Sequence, residues 1–171
     1  MSLTALAWLF TAGVLLHNLE EALYLPAWSM QATRWYRPVP TPVFRFAAGA
    51  LSLGFVAVTL AATFSAAGSV AAYLMAGYAL AMLLNVLMPH VLATIALRRY
   101  MPGTATAVLL NLPLGLLYLR QALAERLIDP QVFRWAGPLV VVGLLLALPA
   151  LFALGRRVCR IGYGSTSAHG G

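Results

Sequence analysis

Five apolar runs, each near or above the roughly 20 residues that an α-helix needs to cross a hydrocarbon core, fill residues 3–25, 43–64, 70–97, 104–123 and 136–154. Inside lipid every backbone N–H and C=O has to be satisfied by the chain itself, and a helix does this within its own segment. The expected fold class is therefore all-α, an integral membrane bundle of five transmembrane helices. These form one domain over residues 1–161, followed by a flexible Gly- and Ser-rich tail over 162–171. With 62% hydrophobic and 9% charged residues, the chain lies outside the range of soluble domains.

The net charge of +7 comes from eleven arginines, which fall almost entirely between the apolar runs. Five crossings place Arg120, Arg126 and Arg134 on one side, and Arg34, Arg37, Arg45, Arg98, Arg99, Arg156, Arg157 and Arg160 on the other. The positive-inside rule makes the richer side cytoplasmic, so the N-terminus is expected outside and the C-terminus in the cytoplasm of a bacterial cytoplasmic (inner) membrane. Basicity distributed this way reports topology, and no nucleic-acid partner is expected. The first run lacks a positive leader and a small-residue cleavage site, so it reads as part of the mature protein. Cys159 stands alone, which rules out an intrachain disulfide framework. Between the first two runs, Pro26 to Pro42 carries four prolines with Trp28, Trp35 and Tyr36, a composition suited to the headgroup layer, and its middle reads as a short interfacial helix.

Inside the first run stands His17-Asn18-Leu19-Glu20-Glu21. An acidic residue at the centre of a membrane helix costs about 2.5 to 3.5 kcal/mol, so two adjacent ones require partners. On a helix His17 and Glu21 lie about 40° apart with Glu20 on the flank, and all three are expected to converge. Counted from a helix end near Leu25, His17 lies about 12 Å deep. His90 on the third run and Asn111 on the fourth come out about 10 Å deep, and Thr94 about 5 Å. Pro89 and Pro113 cannot donate to the carbonyls of Asn85 and Leu109, which leaves polar backbone at the same depth. Thr94 is expected to bond its own helix backbone, and Tyr24 and Tyr118 to anchor at the interface.

His17, His90 and Glu21 make a two-His, one-carboxylate set suited to zinc or non-haem iron, with Glu20 as general base; exchanging the two glutamates fits the spacing equally well. A di-iron centre is undersupplied with carboxylates. Without a metal, Glu20, Glu21 and His90 could do acid–base work, because adjacent carboxylates in low dielectric do not both ionise readily. Asn85, Thr94 and Asn111 are the expected substrate-binding residues. The reading is an enzyme, either metal-dependent or acid–base, that takes a lipophilic small molecule from the surrounding membrane lipid. Proton- or metal-ion-coupled transport is the alternative from another class, since Glu and His chains also serve as relays. An accessory subunit bonded together by these polar groups is the third, and a homodimer or larger membrane complex fits each of them.

The motif His17-Asn18-Leu19-Glu20-Glu21, late in a first transmembrane helix, resembles that of the uncharacterised bacterial membrane proteins known for HXXEE. The similarity extends to Asn85 through Gly103, with His90 and the turn Tyr100-Met101-Pro102-Gly103, and so spans about the first two-thirds of the chain. That family brings a name and a membrane location but no activity.

Overall fold

The computed structural model describes residues 1–32 and 38–166, with side chains through Cys159. Among the described residues five helices are long and apolar enough to cross a membrane: α1 (Leu3–Gln31), α2 (Thr41–Thr63), α3 (Val70–Leu97), α4 (Thr104–Ala124) and α5 (Pro130–Thr166). The short uncharged turn after α2 makes α2 and α3 neighbours, as their sequence requires. Contacts then run α1 to α2, α2 to α5, α5 to α3, α3 to α4 and α4 back to α1, a ring with α2 and α3 also touching across it. The Met1 carbonyl accepts from Gln121 at 3.1 Å, and Gly68 N–H donates to the Leu127 carbonyl at 2.8 Å, so the N-terminus and the turns after α2 and α4 share one end of the bundle. That is the arrangement five crossings demand.

Two helices extend beyond the sequence reading. The first run was expected to stop near Leu25 because Pro26 follows, yet α1 continues through Pro26 to Gln31. A proline inside a helix orphans the carbonyl four residues back, here that of Ala22, and the Arg45 side chain from α2 donates to it at 3.1 Å. His17 consequently lies about 21 Å from its helix end rather than about 12 Å. The fifth helix begins at Pro130 and runs to Thr166, so residues 162–166 of the expected tail are helical, while 167–171 lie outside the described residues. The expected interfacial helix centred on residues 33–37 also lies outside them.

Around the middle of the bundle Phe10 meets Phe55 edge-on and stacks on Tyr118, with ring centroids 5.6 and 6.4 Å apart. Tyr118, read from sequence as an interface anchor, is fully buried there. Beside it the Thr11 and Thr59 hydroxyls meet at 2.8 Å between α1 and α2, and about two turns further along α1 Asn18 donates to Ser52 at 2.9 Å. Small residues allow close approach on α3 more than on α2. A Cβ on Gly77 would lie 2.5 Å from that of Val140, whereas one on Gly49 would meet nothing within 4 Å.

Two helices depart from α geometry where the sequence places proline. Residues Val86–Val91 of α3 form a π-turn in which Met88, ahead of Pro89, leaves the helical region (φ −136°, ψ 116°). In α4 the π-turn Ala107–Asn111 precedes Leu112-Pro113. The two turns touch each other, and both flank the motif helix or its partners, a frequent setting for functional sites.

Candidate functional site

The polar motif on α1 faces the π-turn of α3 and the turn that joins α3 to α4. His17 and Glu21 lie together as their four-residue spacing predicts, and His90, expected from its depth, joins them. Glu21 Oε1 lies 3.1 Å from His90 Nε2 and 3.8 Å from His17 Nε2, and one ligand-capable atom from each of the three falls within 4.8 Å of the others. The two imidazoles stand edge to face with centroids 4.7 Å apart. Both are sealed from solvent, while the Glu21 side chain keeps 18% of its surface, so access to the cluster runs past Glu21. His90 Nε2 and Glu21 Oε1 are close without being aligned as a hydrogen bond. Two ligands on one tetrahedral ion with bonds of about 2.1 Å sit roughly 3.4 Å apart, between the two separations seen here.

The tautomer of His17 follows from its partners. Its Nδ1 lies 3.1 Å from the Gly103 carbonyl, which only accepts, so Nδ1 carries the proton and Nε2 presents a lone pair toward Glu21. Asn85 Nδ2 donates to that lone pair at 3.2 Å. Asn85 was expected to touch substrate and is found holding His17. The donor set therefore fits a divalent ion: one imidazole oriented through its far nitrogen, a second imidazole, and a carboxylate, with Asn85 turning aside if His17 ligates.

Glu20 does not join this convergence. Its Oε1 accepts from the Gly103 N–H at 2.9 Å and from the Tyr100 hydroxyl, and its Oε2 accepts from the Thr106 hydroxyl at 2.7 Å. Three donors thus claim both oxygens of Glu20, whereas Glu21 turns its Oε1 to the imidazoles. Glu20 instead clamps the turn that holds His17. Tyr100 completes the clamp by accepting from the Ala105 N–H at 3.1 Å; burial, followed by the Glu20 carboxylate, pushes its phenol above the ordinary value and keeps it a donor.

Thr94, expected to bond its own backbone, pairs with the Thr104 hydroxyl at 3.0 Å and accepts from the Met101 N–H at 3.2 Å. It braces the same turn. Asn111 is fully buried at the end of its π-turn, and its carboxamide bonds no group among the described residues. A Cβ on Gly13, one turn before His17, would lie 3.3 Å from its Oδ1, so Asn111 neighbours the cluster without joining it. His90 Nδ1 likewise has no hydrogen-bond partner among the described residues.

Gly103 and Thr106 are the residues that the sequence reading passed over. Gly103 has φ +93°, its N–H and C=O serve Glu20 and His17 at once, and a Cβ there would lie 2.6 Å from His90 Cε1 and 3.0 Å from both Glu21 Cγ and His17 Cε1. The Pro102-Gly103 pair signals a turn, but nothing in the sequence says that the turn rests on the histidines.

The family described as "protein of unknown function with HXXEE motif" matches residues 8–118, a stretch that contains every residue of the site and leaves out α5. The uncharacterized protein YrkK of Bacillus subtilis (strain 168) is 32% identical over 156 residues, covering 87% of this chain and 94% of that protein. No solved structure matches. With the motif in place on α1 and the match running through four of the five helices, the chain belongs to the HXXEE-motif family.

Proposed function

We propose that this protein is a small membrane enzyme that acts on a lipophilic molecule at a metal ion held by His17, His90 and Glu21. The reading rests on one observation above others: a proton-fixed imidazole, a second buried imidazole and a carboxylate aim at a common point within ligand distances. A bound zinc or iron ion would supply Lewis-acid chemistry, polarising a carbonyl or a water. The chain's own contribution is positional. Gly103 fixes the ring of His17, Glu20 fixes Gly103, and the sealed histidines keep bulk water to the side where Glu21 is open. Asn111 and Nδ1 of His90 offer the polar contacts that would orient substrate.

Elemental analysis of protein purified without a histidine tag or chelator tests this. We expect close to one equivalent of zinc or iron, falling below about a tenth in His17→Ala and His90→Ala, since even outer-shell changes weaken metal sites about 10- to 100-fold. Folded wild-type protein without metal would end the metal reading and turn attention to acid–base or proton-relay chemistry by the same residues.

We also propose that the Met1 end faces the outside of a bacterial cytoplasmic membrane and the C-terminus the cytoplasm, from the eight-to-three arginine split. A C-terminal green fluorescent protein fusion is expected to fluoresce and an alkaline phosphatase fusion at the same point to be inactive. The converse pair of results would invert the topology.

A further inference from the structure

Next to the cluster, on the far side of the turn that Glu20 clamps, a cleft of about 500 Å³ opens between Tyr24, Trp28, Gln31, Arg99, Tyr100 and Pro102. Its walls divide by chemistry. Three aromatic rings and a proline supply apolar surface. Among the described residues its one cation is Arg99, held by a hydrogen bond to the Gln31 side-chain oxygen, and no carboxylate lies within ion-pair distance of it. The acid in the wall, Glu20, is already engaged by three donors. The cleft thus presents a guanidinium that is held by Gln31 and in no ion pair among the described residues, beside aromatic surface, while the Glu20 carboxylate in the same wall is turned to the donors of the turn; a planar guanidinium matches two oxygens of a phosphate or carboxylate at once.

We propose that this cleft binds the oxyanion headgroup of an amphiphile, and that this amphiphile is the substrate of the neighbouring site, an inference that rests on the enzymatic reading above. The shared elements carry the link. Glu20, Tyr100 and Pro102 line the cleft, while Glu20 also bonds Gly103, whose carbonyl meets His17 and whose Cβ position faces His90 and Glu21. A headgroup seated on Arg99 therefore lies one turn of chain from the cluster, with Glu21 as its open side. A smaller cleft of about 250 Å³, bounded by Pro26, Met30 and Val39, shares Ala27 with the first and offers apolar surface for the body of such a molecule.

Native mass spectrometry of the full chain in nonionic detergent, titrated with phosphatidic acid and with phosphatidylcholine of the same acyl chains, tests the assignment. Phosphatidic acid is expected to bind at least about tenfold more tightly, the scale of a charge-assisted bidentate contact. Arg99→Gln should erase that preference, Gln31→Ala should weaken it by freeing the guanidinium, and Arg98→Gln, adjacent but outside the cleft, should leave it intact. Equal losses in the Arg98 and Arg99 variants would show surface attraction alone and overturn the proposal. So would equal binding of both lipids, or displacement by inorganic phosphate at the lipid's own concentration, which would make this a free-anion site. Metal content measured on the same preparations separates the two readings. Metal-loaded protein without lipid preference overturns the cleft, and metal-free protein that keeps the preference supports the cleft and overturns the metal centre.

Discussion

Gly103→Ala is expected to destabilise the protein by about 2 to 6 kcal/mol and to empty the proposed metal centre, although the glycine supplies no ligand. Two independent effects add. At φ +93° an alanine is strained whatever surrounds it, by about 1 to 3 kcal/mol. Its Cβ would also lie 2.6 Å from His90 Cε1 and 3.0 Å from carbons of both Glu21 and His17, contacts that cannot persist unless the turn lifts or the rings move apart. Lifting the turn breaks the bond that fixes His17 Nδ1 and the bond from Gly103 N–H to Glu20, so the strain is delivered to the cluster. Gly49→Ala, where the new methyl meets nothing within 4 Å, is the matched control and should be close to neutral. Thermal unfolding followed by circular dichroism, with elemental analysis of the same samples, reads both effects. Equal melting temperatures and equal metal in the two variants would mean that the turn does not rest on the cluster.

That prediction also shows where the sequence stopped being legible. The five crossings, the proline breaks and the meeting of His17 with Glu21 follow from local rules: run length, missing N–H groups and four-residue spacing on one helix. His90 was found because its depth on the third run, counted along the helix, comes close to that of His17. The division of labour between Glu20 and Glu21 was not legible, since adjacent residues on a helix point about 100° apart and only the neighbouring chain decides what each meets. Here the turn after α3 lies against Glu20 and the imidazoles against Glu21. The end of α1 was misjudged for a related reason. Pro26 is a stop signal only while the Ala22 carbonyl has no other donor, and the donor is Arg45, on a different helix. Gly103 and Thr106 escaped because their importance is entirely tertiary.

The division of labour between the two acids carries the second large effect: Glu21→Gln and Glu20→Gln should have separable consequences. Among the described residues Glu21 is the only carboxylate facing the two imidazoles, so Glu21→Gln removes the proposed anionic ligand, and metal affinity is expected to fall at least about 100-fold while the apo fold persists. Glu20→Gln keeps an oxygen for the Tyr100 and Gly103 donors, and its amide can donate to the Thr106 hydroxyl, which has the Gly103 carbonyl at 3.1 Å as an alternative acceptor. The turn stays seated, and metal affinity should drop within about tenfold, as for an outer-shell change. Glu20→Ala goes further, leaving those donors without their carboxylate. It should cost about 1 to 3 kcal/mol of stability and loosen His17 through Gly103. Competition with a chromogenic chelator gives the affinities, and thermal unfolding gives the stabilities. If Glu20→Gln lost metal as completely as Glu21→Gln, Glu20 would have to be a ligand, and the clamp described here would be a resting arrangement that metal binding undoes. If neither did, the three-residue convergence would be packing. The ordering Glu21→Gln far below Glu20→Gln is the outcome that this geometry requires, because only one of the two carboxylates has an oxygen not already claimed by the backbone and hydroxyls of the turn.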